Sequence, residues 1–506
     1  MEIREEQVDS YNVISDGIVS NIKILRVSNK FTMVYRAEVP LIDAGTRAIL
    51  SEIRAQLIRE YPQKIQNLSE STNPALKVEF LDLVQSKLKS LVPGLSDAAY
   101  IAFPASLLHE MFGLGVLEIL DADANLEEIV VNDSKTNVMV YHRKYGWLET
   151  NIKIDSENRI ESFAEQIARK VGRQITTLSP LLDAQLVNGD RVNATLFPIS
   201  YHGNTIDIRK FRQEPWTVTD FLRTKTFSPA LVSFVWQAIQ YELSMIVTGG
   251  TASGKTSLLN VFMPFIPPNQ RIITIEDTSE LVLPNFLHWV PLVTRQKNSE
   301  GKGEVSMLDL LINSLRMRPD RLVVGEIRKK EDAQTLFEAL MTGHSVYATL
   351  HAETAQQVVK RLISEPIDLP DIEVSTMDLI VTAFRNRRTG ARRVLELAEL
   401  TEHYVAGKME LKTNNLFEWR PRTDEIERTI NVSQKIENKL QLYSGLTHDE
   451  IRADLAEKEK VLSWLLAHNV NTVNKIGLVA STYYAMKDDL MNIVNNDEDP
   501  AKLEFI

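Results

Sequence analysis

Residues 249–256 read Gly-Gly-Thr-Ala-Ser-Gly-Lys-Thr, and a run of this kind leaves few folds open. It fits the pattern G-x-x-x-x-G-K-[ST]. Gly249 and Gly254 let the backbone turn tightly, so that consecutive N–H groups face one centre. Those groups and the start of the next helix form a nest for phosphates. Lys255 is placed to reach the β- and γ-phosphates of a nucleoside triphosphate, and the Thr256 hydroxyl to bind Mg²⁺. Leu243–Val247 just before the loop is apolar and strand-like, and Thr256–Phe262 continues as a helix until Pro264. Gly249, Gly250, Thr251, Ala252, Ser253, Gly254, Lys255, Thr256 and Ser257 are therefore the candidate ATP-binding residues.

At 506 residues the chain exceeds a single core, and three or four domains are expected. An apolar fraction of 44% and a charged fraction of 25% are ordinary globular values. The absence of cysteine excludes disulfides, thiolate zinc sites and cysteine nucleophiles. A net charge of −11 argues against a general nucleic-acid coat. The first residues, Met1-Glu2-Ile3-Arg4-Glu5-Glu6, are acidic and polar, unlike a signal peptide. No stretch of apolar residues is long enough to span a bilayer. The expectation is a soluble cytoplasmic protein.

Residues 1–95 read as an N-terminal accessory module. Ile22–Val27 and Phe31–Val39 alternate around Ser28-Asn29-Lys30 as a hairpin, and Ala44–Tyr61 and Ala75–Leu91 carry helical spacing. Pro93-Gly94 marks a boundary. Residues 96–213 read as an α/β domain, with strands at Glu128–Val131, Val138–Tyr141 and Thr205–Ile208 and a helix at Ile160–Val171. Residues 214–222 read as a linker, because Pro215 restricts its predecessor. Residues 223–405 alternate strand and helix, the pattern of a mostly parallel α/β domain. Residues 406–506 read as a mainly helical C-terminal region. Thr447 and Glu450 form a capping box there, and Ile451, Leu455, Leu462 and Leu465 make a core-facing stripe.

Three segments refine the nucleotide reading. The apolar strand Arg271–Ile275 runs into Glu276-Asp277-Thr278-Ser279-Glu280. Carboxylates beyond a buried strand end can polarise a water or hold Mg²⁺ through water. Glu276 and Glu280 compete for that role, Glu276 being the better fixed. The strand Leu322–Gly325 ends in Glu326, a Walker-B-like placement in which one carboxylate serves the metal side. His344 and His351 lie close in sequence, and His351 follows a short strand. Two histidines without cysteine are a poor zinc set. Arg295, Arg316, Arg318 and Arg328 flank the core strands, and Arg191 and Arg209 lie in the preceding domain. Arginine suits bidentate phosphate contact.

The combination closely resembles the motor ATPases of the type II/type IV secretion, type IV pilus and archaellum superfamily, in their archaeal branch. The likeness covers roughly residues 100–470. Its markers are Tyr141–Thr150, Ile208–Phe211 with Pro215-Trp216-Thr217, the phosphate loop, Val290–Arg295 and Leu315–Arg321. Glu276 to Glu280 match the family's Asp box, Val324–Arg328 its atypical Walker B, and Thr342-Gly343-His344 to His351-Ala352 its His box. The resemblance implies a RecA-like ATPase domain preceded by a PAS-like α/β domain. It implies a homo-hexameric ring with nucleotide between the two domains. Arg191 and Arg209 match positions that reach the phosphates; Glu276, Glu280, Glu326 and His351 match catalytic ones. The family pattern favours Glu280 as the base. The implied cofactors are ATP and Mg²⁺. The implied partners are a polytopic membrane platform protein and pilin-like filament subunits, with peripheral attachment to the inner face of the membrane through them. The tetracysteine zinc module of many bacterial relatives is absent. Residues 1–95 and the C-terminal helices match only loosely.

A RecA-like nucleic-acid translocase or helicase is the alternative. The negative charge and the lack of an aromatic–basic strand-binding stretch count against it, and no nucleic acid is expected as a partner. A small-molecule kinase is a third class, disfavoured by the length and by the lack of an acceptor-site lid.

Overall fold

The structure, a computed structural model, describes residues 4–39, 42–65, 74–212, 214–297, 301–433 and 435–505. The chain divides into two compact units, Met1–Arg212 and Gln213–Ile506.

The first unit is built on nine strands: β1 (Glu5–Ser15), β2 (Ile18–Val27), β3 (Val34–Ala37), β4 (Leu126–Val131), β5 (Met139–His142), β6 (Gly146–Thr150), β7 (Leu181–Gln185), β8 (Arg191–Thr195) and β9 (Thr205–Arg209). Their order is β1-β2-β3-β6-β5-β4-β9-β8-β7. Adjacent strands are antiparallel except β3 and β6. β1 is too polar to stand out by hydrophobicity. It is set by Asp16-Gly17, both at positive φ, a two-residue turn that suits the twist of a hairpin. The amphipathic helix Glu157–Lys170 buries Ile160, Phe163 and Ile167 in the core on this sheet.

Two expected boundaries move. Val34 pairs with Glu149, so the hairpin of residues 1–95 belongs to the same sheet as residues 126–209. Helix Asp97–Phe112 packs with helices Ala44–Glu60 and Pro74–Leu91 around Leu50, Ile53, Val84 and Leu107. Pro93-Gly94 therefore turns the chain inside one helical cluster and separates nothing. The expected linker 214–222 also shrinks. Thr217 caps a helix at Val218–Arg223 whose Val218 and Phe221 lie in the core of the second unit.

The second unit has β10 (Met245–Gly249), β11 (Arg271–Glu276), β12 (His288–Val293), β13 (Arg321–Val324), β14 (Ser345–Leu350), β15 (Leu379–Arg385), β16 (Arg392–Val405), β17 (Lys408–Arg420) and β18 (Glu425–Arg428), in the order β12-β11-β13-β14-β10-β15-β16-β17-β18. β12 through β15 in that order are parallel; β15 to β18 are antiparallel. Successive residues of the parallel strands enter opposite cores, as Met245 and Val247 do against Ile246. That is why these strands read as continuous apolar runs. The expected helical region from 406 is corrected here: β17 and β18 extend the sheet to Arg428, and helices begin at Ile436. The long, half-exposed β16–β17 hairpin lacks the buried apolar signal of the parallel strands. Among the described residues no helix is long and apolar enough to cross a membrane.

The helices at His448–Ala467 and Val473–Ala485 add a layer over helix Pro229–Gln240. The Thr447–Glu450 capping box forms, and Ile451, Leu462 and Leu465 are buried. A buried ion pair joins the layers. Lys458, fully buried, bonds Asp454 and lies 4.5 Å from the Tyr483 ring centroid. Asp454 also accepts from the Gln237 amide at 2.7 Å and the Tyr483 hydroxyl at 2.6 Å. Asp454→Ala strands the lysine charge and is expected to destabilise the unit by about 3 kcal/mol. Replacing the pair together (Asp454→Leu with Lys458→Met) should recover most of that in chemical denaturation. Equal losses in the single and double variants would contradict the pairing.

Candidate nucleotide-binding site

β10 is buried along its whole length, so the loop leaving it starts from a fixed point. Gly249 has φ +154°, and a Cβ there would lie 2.3 Å from the Ala383 carbonyl oxygen of β15. Gly254, at φ +91°, caps helix Lys255–Phe262 in the left-handed region. Only glycine meets both demands. The Thr248 hydroxyl sits 2.9 Å from the Leu350 carbonyl and 2.8 Å from that of Ala352. It ties the end of β10 to the segment carrying His351.

The parallel strands finish at one edge, the place where open α/β sheets bind ligands. Glu276 ends β11, Glu326 follows β13, His351 follows β14, and the phosphate loop follows β10. A chain of side-chain contacts joins the loop, His351 and Glu326. The Lys255 ammonium lies 3.2 Å from His351 Nε2 and 3.4 Å from the Gly250 carbonyl. His351 Nε2 is 3.6 Å from Glu326 Oε1. Arg328 donates to Glu326 Oε2 at 2.6 and 2.8 Å and to Asp277 Oδ2 at 2.7 Å. Thr294 bonds the other Asp277 oxygen at 3.1 Å.

Burial sets the charge states. It lowers the Lys255 pKa, against the pull of Glu326 and Glu280. Burial, then the Lys255 charge, lowers that of His351. A neutral imidazole that accepts at Nε2 carries its proton on Nδ1. The Ser253 hydroxyl inside the loop is buried without a hydrogen-bond partner. A desolvated ammonium held only by weak acceptors, an orphan hydroxyl and a helix N-terminus fit a polyphosphate. Thr256 and Ser257 stand half-buried in the first turn of that helix, while Thr251 and Ala252 are exposed at the rim. Among the described residues no cluster of three or more acidic or histidine side chains is arranged to hold a metal. Mg²⁺ characteristically takes most ligands from phosphate and water.

The two Asp-box glutamates differ sharply. Glu276 is buried, and its Oε1 accepts from the Glu280 and Leu281 amides at 3.1 and 3.2 Å. Glu280 is exposed, and its charge acts on Lys255. His344 stays apart: its Nδ1 lies 3.1 Å from Thr342 Oγ1 and 3.2 Å from the Ala339 carbonyl, at a helix end. Arg191 and Arg209 lie in the first unit as direct cross-strand neighbours on β8 and β9. Arg191 bonds Asp183 at 3.2 and 3.3 Å, and Arg209 bonds Glu128 at 3.0 and 3.1 Å. Thr248 and the bridging role of Arg328 escape sequence reading. The available signal is a hydroxyl within an otherwise apolar strand, Met245-Ile246-Val247-Thr248.

Desolvation pushes Glu276 up from 4.5 to about 7. Between those pH values the folded chain holds more protons than the unfolded one. The contribution of this group to stability therefore falls as pH rises through that window and is level above it. Glu276→Gln keeps an oxygen for the two amides and removes the titration. Its loss of stability from pH 4.5 to 7 should be smaller than the parent's by about 2–3 kcal/mol. Identical pH profiles in chemical denaturation would overturn this.

The family model described as Type II/IV secretion system protein matches residues 115–415. An uncharacterized protein of Methanocaldococcus jannaschii is 33% identical over 72% of this chain; the chain spans 66% of that protein, just under two thirds. The type IV secretion system protein PtlH of Bordetella pertussis is 29% identical over 53% of this chain and 88% of its own length. The X-ray structure of the Legionella pneumophila ATPase DotB is 17% identical, covering 74% of this chain and 92% of that one. The TM-score is 0.40. With well over half of its residues inside the family model, the chain belongs to the type II/IV secretion system protein family.

Proposed function

We propose that the chain is an ATP-hydrolysing motor of a secretion or type IV pilus-like machine. The observation that carries this reading is the convergence of Lys255, His351, Glu326, Arg328 and Asp277 at the edge where the phosphate loop leaves β10. Family membership supplies the context of the work. The parallel order β11-β13-β14-β10-β15, with the loop strand between β14 and β15, supports a RecA-like reading of the second unit. The first unit takes the PAS-like role.

Lys255 exchanges His351 and Gly250 for phosphate oxygens, a stronger partner for a desolvated ammonium. Thr256 and, through water, Glu326 would hold Mg²⁺, which supplies charge neutralisation on the phosphates. Glu280 is the water-activating base in this scheme, because it is open to solvent and its charge acts on Lys255. Glu276 positions it: its carboxylate holds the Glu280 amide. Arg191 and Arg209 supply phosphate contacts from the first unit, and their engagement couples phosphate state to domain position. The motor works as a homo-hexamer at the cytoplasmic face of a membrane. A polytopic platform protein and filament or secretion subunits are its partners.

Lys255→Ala is expected to abolish ATP turnover and nucleotide binding. Glu280→Gln should keep ATP affinity and lose turnover by roughly 10²-fold, with a smaller loss for Glu276→Gln. Pre-steady-state phosphate release measures this, and normal turnover without Lys255 would sink the site assignment.

The ring is tested separately. Arg191→Ala and Arg209→Ala should reduce turnover far more than nucleotide affinity. Turnover per subunit should rise with protein concentration, in step with assembly seen by sedimentation. A fully active monomer would rule the ring out.

A further inference from the structure

The turn from β15 to β16 carries five arginines between Arg385 and Arg393, in a chain of net charge −11. It borders the phosphate loop: Gly249 pairs with Ala383 on β15, and Arg385 faces Arg392 across β15 and β16. Like charges directly opposite in a sheet repel. A Cβ built on Gly254 would lie 3.5 Å from Arg392 Cδ and 3.8 Å from its Nε. That Nε is buried without a hydrogen-bond partner. Arg393, on the other face of the strand, is saturated. Its Nε and Nη2 each bond an Asp424 oxygen at 2.7 Å, and its Nη1 bonds the Thr224 and Arg392 carbonyls. One arginine of the pair is a structural strut. The other lies along the cap of the phosphate-binding helix with a desolvated donor unused.

The two sides of the loop differ. Lys255 leans toward His351 at the end of β14, whereas Arg392 approaches from the β15–β16 side, across β10. A phosphate chain with its terminal groups at Lys255 leaves its nucleoside end toward Arg392. We propose that Arg392 binds the phosphate next to the nucleoside, so that it holds nucleoside di- and triphosphates alike. This rests on the reading of Gly249–Ser257 as an ATP site. Arg387 and Arg388, exposed at the tip of the turn, lie outside that contact.

Equilibrium binding of ADP and of ATP with Mg²⁺ to the full chain tests it. Arg392→Ala should weaken both nucleotides to the same extent, by about tenfold or more, since the lost contact is charge-assisted. Arg392→Lys should recover part of the loss, and Arg387→Ala should change nothing. In turnover, Arg392→Ala should raise KM, with kcat held within about threefold. Arg392→Gln repeats the measurement with the side-chain stem kept, in case alanine disturbs the hairpin. Unchanged ADP affinity in both variants overturns the proposal. So does a loss for ATP alone, which would put Arg392 at the terminal phosphate. If Lys255→Ala binds ATP as the parent does, the nucleotide-site reading fails instead. If Lys255→Ala loses binding while the Arg392 variants do not, only the role of Arg392 falls.

Discussion

The second unit depends on a strand with no exposed face. β10 lies between β14 and β15 and buries every residue, so neither its height nor its twist can adjust. The loop that leaves it passes so close to the Ala383 carbonyl that a methyl group at position 249 would collide with it. The Thr248 hydroxyl then fixes the end of the neighbouring strand to the same point. Rigid backbone is what an anion nest requires, because its N–H groups must already converge when phosphate arrives.

The same burial governs the chemistry. Lys255, His351 and Glu276 all have the charged form penalised by loss of water. They are tolerated because each has a partner. The partners are weak ones for Lys255, a neutral ring and a carbonyl. They are strong ones for Glu276, whose oxygen receives two amides. The contrast separates a group whose partners are easily exchanged from a group that braces a loop. Position in sequence does not make that distinction: Lys255 opens the helix that follows β10 and Glu276 closes β11, both at the same edge of the sheet.

What sequence reading captured follows from how local each signal is. The phosphate loop, the parallel strands and the Thr447 capping box are written in consecutive residues. The structure has strand, loop and helix where Leu243 to Phe262 place them. Boundaries were less legible because long-range pairing sets them. Nothing near Val34 or Glu149 announces that the two meet, yet that bridge merges the N-terminal hairpin with the following sheet. β17 extends a sheet through its neighbour β16, and of its mostly polar, half-exposed residues only Leu416 and Phe417 are buried. The Asp box was legible as a set of acids but not as a division of labour. The division depends on which carboxylate the turn buries. The arginines of the β15–β16 turn stand apart from every motif, and only the approach of Arg392 to Gly254 singles one of them out.

Arginine burial also bears on which cations could respond to a phosphate. Arg321 is wholly buried, and its guanidinium bonds Gln270, Ser345, Tyr347 and the Ile239 carbonyl. Withdrawing it would leave several buried acceptors empty, so it is committed to the core. Arg191 and Arg209 pair with Asp183 and Glu128 at partly exposed sites. Such pairs are worth roughly 0–1 kcal/mol each. An exposed carboxylate can thus orient a guanidinium without competing seriously against a multiply charged anion. Weak partners are what a cation needs if it is to change partners during a cycle. In the first unit the Arg209–Glu128 pair, with its guanidinium largely in solvent, is of that kind.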